Sequence, residues 1–509
     1  MARVRTKPQQ LLAEALKSAG AAARNNILKT SALDRKHREI LLREKYLSEI
    51  IQGWYLLTVP AGWGESTAWF GSFWDFLRHY LADRFGANGY CLSAESSLNL
   101  LTGETTVPRQ IVVLTRKASN TTINFPHDTS LLLLVDKTNF PTDREKWEGL
   151  WVMRLPYALC RVTPAYYSRN PRAIEIALKT TGLSVADISR TIFKHEAFAG
   201  GERIIGAYRH LGEEGKAGQI RGDLIAAGYQ VKEVDPFADY EPCLQTVRSL
   251  SPYAGRIRAM WQEMRGGVAA FMPKPQPTMQ GVEEIITAIK DKYKADAHNS
   301  LSIEGYQVTP ELIEKIASGQ WAPENDAGDR RQTDVLAAQG YQQAFQVVLE
   351  SIRRVAEQEN PGVVFEEDLQ KWYRQMFAPF VSANLLKAAG LAGYRDQRVY
   401  IRGARHVPPP KAAVPDCMET LFELLKNEEN PVVGAVLGHF VFVFIHPYMD
   451  GNGRIGRFLM NLMMIAAGCE WTIIRVEHRE RYLAALEEAA TRGNIQPLAE
   501  FIKSEMDGI

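Results

Sequence analysis

The sequence predicts a multidomain protein: an all-α domain at the C-terminus, preceded by a winged helix-turn-helix and a mixed α/β domain. Three patterns predict it. Residues 1–60 read as helix, helix and short hairpin, residues 61–240 mix helical and strand periods, and residues 241–509 are helical almost throughout. A chain of 509 residues has room for about two to four such domains.

Residues 8–19 form the first amphipathic helix. Ser31 or Asp34 can cap a second one running to Glu44, with Ile40, Leu41, Tyr46 and Leu47 turned inward. "SEIIQGWYLLT" then alternates as a two-stranded wing with Gly53 near its turn. Arg35, Lys36, Arg38 and Arg43 lie on or beside the second helix, and a basic helix next to a wing points to DNA contact.

In the α/β part, "STAWFGSFWDFLRHYLADRFG" places Trp69, Phe70, Phe73, Trp74 and Leu77 at core spacing, and "RQIVVLTRK" and "TSLLLLVDK" read as strands. "KEVDPFADYEPC" (232–243) has the composition of a linker. Helices are expected over 244–265, 281–294, 310–318, 331–358, 365–376, 415–426, 432–445, 454–467 and 478–491, with Thr309 capping the third and Gly319 ending it.

Composition excludes several classes. Lys+Arg of 60 against Asp+Glu of 59 leaves no global field toward nucleic acid or membrane, although the first 50 residues are locally basic. Five scattered cysteines without a C-x-x-C pair argue against a zinc site or a disulfide framework. "MARVRTKPQQ" leads into a polar helix, so no signal peptide is expected. The apolar run 432–445 is too short to span a membrane, which makes the cytoplasm the expected location.

The densest chemistry lies in "FIHPYMDGNGRIGRF", between two apolar segments. The N–H groups that open the second helix have no intrahelical partners and, with the helix dipole, make an anion site. Gly451 and Gly453 allow close backbone approach, and Asn452 between them can donate and accept. Arg454 and Arg457 are spaced to clamp two phosphates. Asp450 beside that nest makes sense if a divalent metal bridges it to phosphate oxygens, and His446 is placed to act as a base. His439, earlier on the same helix, reads as a packed core histidine.

"HPYMDGNGRIGR" (446–457) resembles the active-site signature of the Fic family, with Tyr448 where phenylalanine is usual; the resemblance covers roughly the last 260 residues. It implies a nucleotidyltransferase that moves AMP from ATP to a Ser, Thr or Tyr hydroxyl of a target protein. His446 would deprotonate the hydroxyl and Asp450 would hold Mg2+. Asn452 with the Gly451 and Gly453 backbone would stabilise the α-phosphate, and Arg454 and Arg457 would hold the β- and γ-phosphates. Relatives that act as kinases carry lysine in place of Gly453. Residues 394–410 resemble the family's flap hairpin, which implies a target protein docking by strand addition at 394–408.

"SLSIEG" (300–305) resembles the family's inhibitory motif, placed on a helix near 298–305. Ser300, Glu304 and Gly305 match, which implies that Glu304 claims Arg457 from the γ-phosphate. Some relatives also use this glutamate to remove AMP from targets. Residues 90–115 resemble AbiE-type winged-helix antitoxins. The alternatives are a transferred UMP or phosphocholine group, a DNA-binding transcriptional regulator, and a toxin–antitoxin or phage-defence protein with this module. Target protein and oligomeric state are left open.

Overall fold

A computed structural model of the chain describes residues 8–58, 65–117, 119–237, 240–244, 251–275, 281–318 and 332–508. They fall into two compact units: residues 1–252 with Val399–Val407, and residues 253–398 with 408–509.

The first unit opens with α1 (Pro8–Ala22), β1 (Ile27–Lys29), α2 (Arg35–Arg43), β2 (Leu47–Ile51) and β3 (Trp54–Leu57). Asp34, not Ser31, caps α2: its side chain accepts the His37 N–H. The turn between β2 and β3 holds Gly53 at φ +87, where a side chain would strain the backbone. β1, too short to show in the sequence pattern, pairs with β3 to give the antiparallel order β1-β3-β2.

There follow α3 (Glu65–Phe85), β4 (Tyr90–Leu92), α4 (Ala94–Leu101), β5 (Gln110–Thr115), β6 (Thr121–Phe125), β7 (Thr129–Val135), β8 (Arg144–Trp147) and β9 (Leu150–Met153). The four-stranded sheet runs β4-β5-β7-β6, parallel only between β5 and β7. Trp69, Phe70, Phe73 and Leu77 of α3 are buried with it; Trp74 is only partly covered. After Met153 the described chain is helical: α5 (Leu155–Arg161), α6 (Pro164–Arg169), α7 (Pro171–Lys179), α8 (Val185–His195), α9 (Phe198–His210) and α10 (Glu214–Ala226).

The stretch expected to be a linker is irregular where described, but it is anchored. Buried Glu175 accepts the Tyr240 hydroxyl at 2.6 Å and the Cys243 and Leu244 N–H groups at 3.0 and 2.9 Å.

The expected flap hairpin takes a different form. Residues 394–410 contain no strand; the chain turns at Gly403 (φ +76) and makes one isolated bridge, Thr106 to His406. Val107 N–H donates to Arg405 O, Val407 N–H to Thr105 O and Gly403 N–H to Thr67 Oγ1. These bonds engage the backbone of Gly403, Arg405 and Val407 within the first unit.

The second unit is all helix: α11 (Pro252–Phe271, from Tyr253 on), α12 (Val282–Ile303), α13 (Pro310–Ala317), α14 (Gln332–Ala356), α15 (Pro361–Ser382), α16 (Val414–Asn427), α17 (Pro431–Ile445), α18 (Asn452–Ala466), α19 (Arg479–Arg492) and α20 (Gln496–Met506). The expected stop at Gly319 and residues 245–250 of the expected 244–265 helix lie outside the described residues, and Leu244 itself is not helical. α17 is apolar on every side, and all of it except Pro431 and Val443 is buried. It therefore sits in the middle of the unit's core. His439 is fully buried there, with Nε2 2.7 Å from the Tyr482 hydroxyl; burial pushes its pKa down to about 4, and it packs as a neutral side chain. No helix among the described residues is long and apolar enough to cross a membrane.

Candidate active site

The polar loop is shorter than the sequence pattern suggests, because α18 already starts at Asn452. Six residues, 446–451, join two buried helices. Asn452, Gly453 and Arg454 thus form the first turn of α18, where backbone N–H groups lack helical partners and face outward as anion donors.

His446 closes α17 in the left-handed region, at φ 53 and ψ 59. Such a conformation costs energy for a side chain and persists only when neighbours enforce it. Its ring Nδ1 lies 3.1 Å from Val443 O. A carbonyl only accepts, so the proton belongs on Nδ1 and Nε2 carries the free lone pair. Burial holds the His446 pKa below the ordinary histidine value, with Arg395 adding to the effect and Val443, Glu304 and Asp450 opposing it. At neutral pH the ring is an unprotonated base.

Tyr448 is buried, stacked on Tyr373 at 3.8 Å between ring centroids, and its hydroxyl accepts from Gln370 Nε2 at 2.9 Å. The Asn452 side chain bonds within the loop. Its Oδ1 accepts the Tyr448 N–H at 3.0 Å and its Nδ2 donates to Tyr448 O at 2.9 Å, so the side chain ties the loop shut. What it offers outward is its backbone N–H.

Both arginines are buried, which is costly for a cation unless it is paired. Arg454 lies against the Tyr306 and Phe377 rings, each centroid 5.2 Å from its Cζ. Its Nε and Nη1 have no hydrogen-bond partner among the described residues; Nη2 has only the Asp450 carboxylate nearby, at 3.2 Å. Burial would raise the Asp450 pKa, but Arg454, the Gly451 N–H and the Tyr306 hydroxyl together hold it below the usual carboxylate range. Asp450 is 56% exposed, an ionised carboxylate beside an unsatisfied buried guanidinium.

Arg457 is engaged from α12. Its Nε donates to Ser300 Oγ and its Nη2 to Ser300 O, both at 2.9 Å, and Nη2 also meets Glu304 Oε1 at 2.8 Å. The structure thus brings Glu304 to Arg457, through one oxygen rather than two. Gly453 lies beneath that carboxylate: a Cβ there would overlap Glu304 Oε1 and come 3.1 Å from its Cδ. Any side chain at this position would have to push the Glu304 carboxylate aside.

Of the N-terminal candidates, Arg35 pairs with Glu39 at 2.7 Å and Arg43 with Glu44 at 2.9 Å, while Arg38 Nη1 reaches Thr30 O at 3.4 Å. These cations already carry local partners.

Sequence reasoning missed two residues. Tyr306 directly follows the Ser300–Gly305 segment, yet an aromatic after a helix-ending glycine reads as packing. Arg395 is buried with no facing carboxylate among the described residues, and burial pushes its pKa down to about 10. Its Nε donates to His446 O at 2.8 Å, Nη1 to Gln397 O at 3.0 Å and Nη2 to Pro409 O at 2.5 Å, and its own N–H bonds Pro447 O at 2.9 Å. Its bonds to His446 O and Pro447 O brace the chain where it leaves the left-handed position. Arg395→Met strands three carbonyls and should lower unfolding free energy by about 2–4 kcal/mol in urea titrations.

Residues 364–464 match the model of the Fic/DOC family. A probable protein adenylyltransferase of Aquifex aeolicus is 39% identical over 99 residues, covering 19% of this chain and 30% of that protein. Protein adenylyltransferase Fic of Nematostella vectensis is 28% identical over 251 residues, 48% of this chain and 55% of that protein. The chain thus spans about half or less of the length of these curated relatives. A solved Fic-1 structure from C. elegans is 17% identical, covering 67% of this chain and 90% of that one, with a TM-score of 0.37. The family match spans nearly all of α15 to α18 and the loop they carry.

Proposed function

We propose that the protein transfers AMP from ATP to a Ser, Thr or Tyr hydroxyl of a target protein, and that Glu304 holds this activity in check. The observation that carries the reading is Arg454: a fully buried guanidinium, short of acceptors, beside the open N-terminus of α18. A site built this way suits an anion. The names of the Aquifex and Nematostella relatives supply the class of reaction.

In this reading the α18 N–H groups cradle the α-phosphate, Arg454 takes the β-phosphate and Arg457 the γ-phosphate once Glu304 has left. His446 Nε2 accepts the proton of the target hydroxyl. The hydroxyl oxygen bonds to the α-phosphorus, the bond from that phosphorus to the bridging oxygen breaks, and pyrophosphate leaves. Such transfer depends mostly on positioning and charge neutralisation. Asp450 suits Mg2+, which takes one or two carboxylates and leaves its other positions to phosphates and water. When bound, Mg2+ neutralises phosphate charge as the leaving group departs.

The target protein docks at 394–408 in this reading, on a segment whose backbone already bonds Thr105 and Val107. The helix–strand–helix–hairpin order of residues 8–57 supports a winged-helix module, with Lys36 and Arg38 left as its less neutralised cations.

Mass spectrometry after incubating the Glu304→Gly protein with ATP and cell lysate tests the reading. Covalent AMP on protein hydroxyls is expected. UMP or phosphocholine adducts formed from the corresponding donors, with none from ATP, would reassign the transferred group.

A further inference from the structure

The C-terminal turn of α12 reaches the site with two side chains. α12 ends at Ile303, Glu304 is its C-cap, and Gly305 takes φ +95. The Gly305 N–H bonds Ser302 O at 3.0 Å and the Tyr306 N–H returns to Leu301 O at 3.2 Å, a helix stop that needs glycine at the positive-φ position. This geometry explains Gly305 of the motif without reference to inhibition, and it has a consequence. The reversal lays Tyr306 over the loop, with its hydroxyl 3.3 Å from Asp450 Oδ2 and its ring 5.2 Å from Arg454 Cζ.

We propose that Tyr306 is a second latch on the nucleotide site, holding the Asp450 carboxylate and covering the Arg454 guanidinium while Glu304 holds Arg457. This rests on the reading that Asp450 binds the metal and Arg454 a phosphate. The two side chains divide the site. Glu304 meets Arg457 and overlies Gly453, whereas Tyr306 meets Asp450 and lies against Arg454, as Phe377 does. A metal at Asp450 competes with the Tyr306 hydroxyl for Oδ2, and a phosphate at Arg454 competes with the ring beside it. Losing Glu304 frees Arg457 alone and leaves the second contact in place.

The experiment uses the full chain carrying Glu304→Gly, compared with the same chain also carrying Tyr306→Phe or Tyr306→Ala. Calorimetry with a non-transferable α,β-methylene ATP reads binding as a function of Mg2+ concentration, and initial rates of labelled AMP transfer are read in parallel. Tyr306→Phe keeps the ring and removes the hydroxyl, so the Mg2+ concentration for half-maximal binding should fall by ~3- to 10-fold, the worth of a hydrogen bond to a carboxylate. Tyr306→Ala should match that fall and also tighten nucleotide binding at saturating Mg2+. Unchanged or weaker Mg2+ dependence in Tyr306→Phe, with an unchanged melting temperature, overturns the latch and leaves Tyr306 as a supporting wall. Binding by none of the three proteins would instead refute the nucleotide site, and the latch with it.

Discussion

Replacing His446 with alanine in the Glu304→Gly protein should lower AMP transfer by ~10^2- to 10^4-fold, the usual contribution of a positioned general base, while Mg2+-ATP binding stays essentially unchanged. The separation follows from geometry. The anion donors belong to the first turn of α18, whereas His446 ends α17 and presents only Nε2 to the site. Alanine is a poor tenant of a left-handed backbone position, so His446→Asn is the better-folded control: asparagine tolerates φ 53 but cannot accept the proton at neutral pH. Equal losses in both variants mark the lost base as the cause. Equal losses of ATP affinity would assign His446 to binding instead.

The pH profile supplies a second check with a definite sign. Burial depresses the His446 pKa, so the lone pair is available at neutral pH and is lost as pH falls through that lowered value. The acid limb of the transfer rate should therefore lie below pH 6.5, the ordinary histidine value. An acid limb above that value would mean that the Val443 carbonyl and Asp450, which push the other way, outweigh burial and Arg395.

How much of this could be read from the chain differs between its halves. The C-terminal helices and the loop residues were legible because α17 is apolar on every side and the loop packs charge and glycine between two such segments. Helix ends were less so: α18 begins two residues early because Gly451, at φ +85, supplies the cap without a side-chain signal. The role of Asn452 was hidden for a related reason. Whether an amide faces a ligand or the backbone of Tyr448 depends on loop curvature, which spacing does not encode. Tyr306 and Arg395 were missed because their partners lie 144 and 51 residues away in sequence. In the first unit, three-residue β1 is too short to show a period, and 394–410 reads as a hairpin because the partners of its Arg405 and Val407, at Val107 and Thr105, are about three hundred residues distant.

Glu304→Gly should raise the initial rate of AMP transfer by about 10- to 150-fold, equivalent to removing one hydrogen bond of about 1.5–3 kcal/mol to a charged group. A bidentate pair would argue for more. Here only Oε1 reaches Arg457 Nη2, and the carboxylate is 30% exposed, which weakens it by screening. The released arginine is not set loose. Ser300 still accepts from Nε and Nη2, and Nη1, unpartnered in the braked state, stays available for a phosphate oxygen. The gain should accordingly appear in the rate of transfer at saturating ATP more than in ATP affinity, because the same guanidinium changes partner without changing place. Ser300→Ala separates the two functions of α12. It removes the Oγ that orients Arg457 but leaves Glu304, so it should not reproduce the activation, and combined with Glu304→Gly it should reduce it. A Glu304→Gly protein that transfers AMP no faster than its parent, on the same protein preparation that binds Mg2+-ATP, would make the Glu304–Arg457 pair a structural contact and leave Tyr306 as the contact to test for the brake.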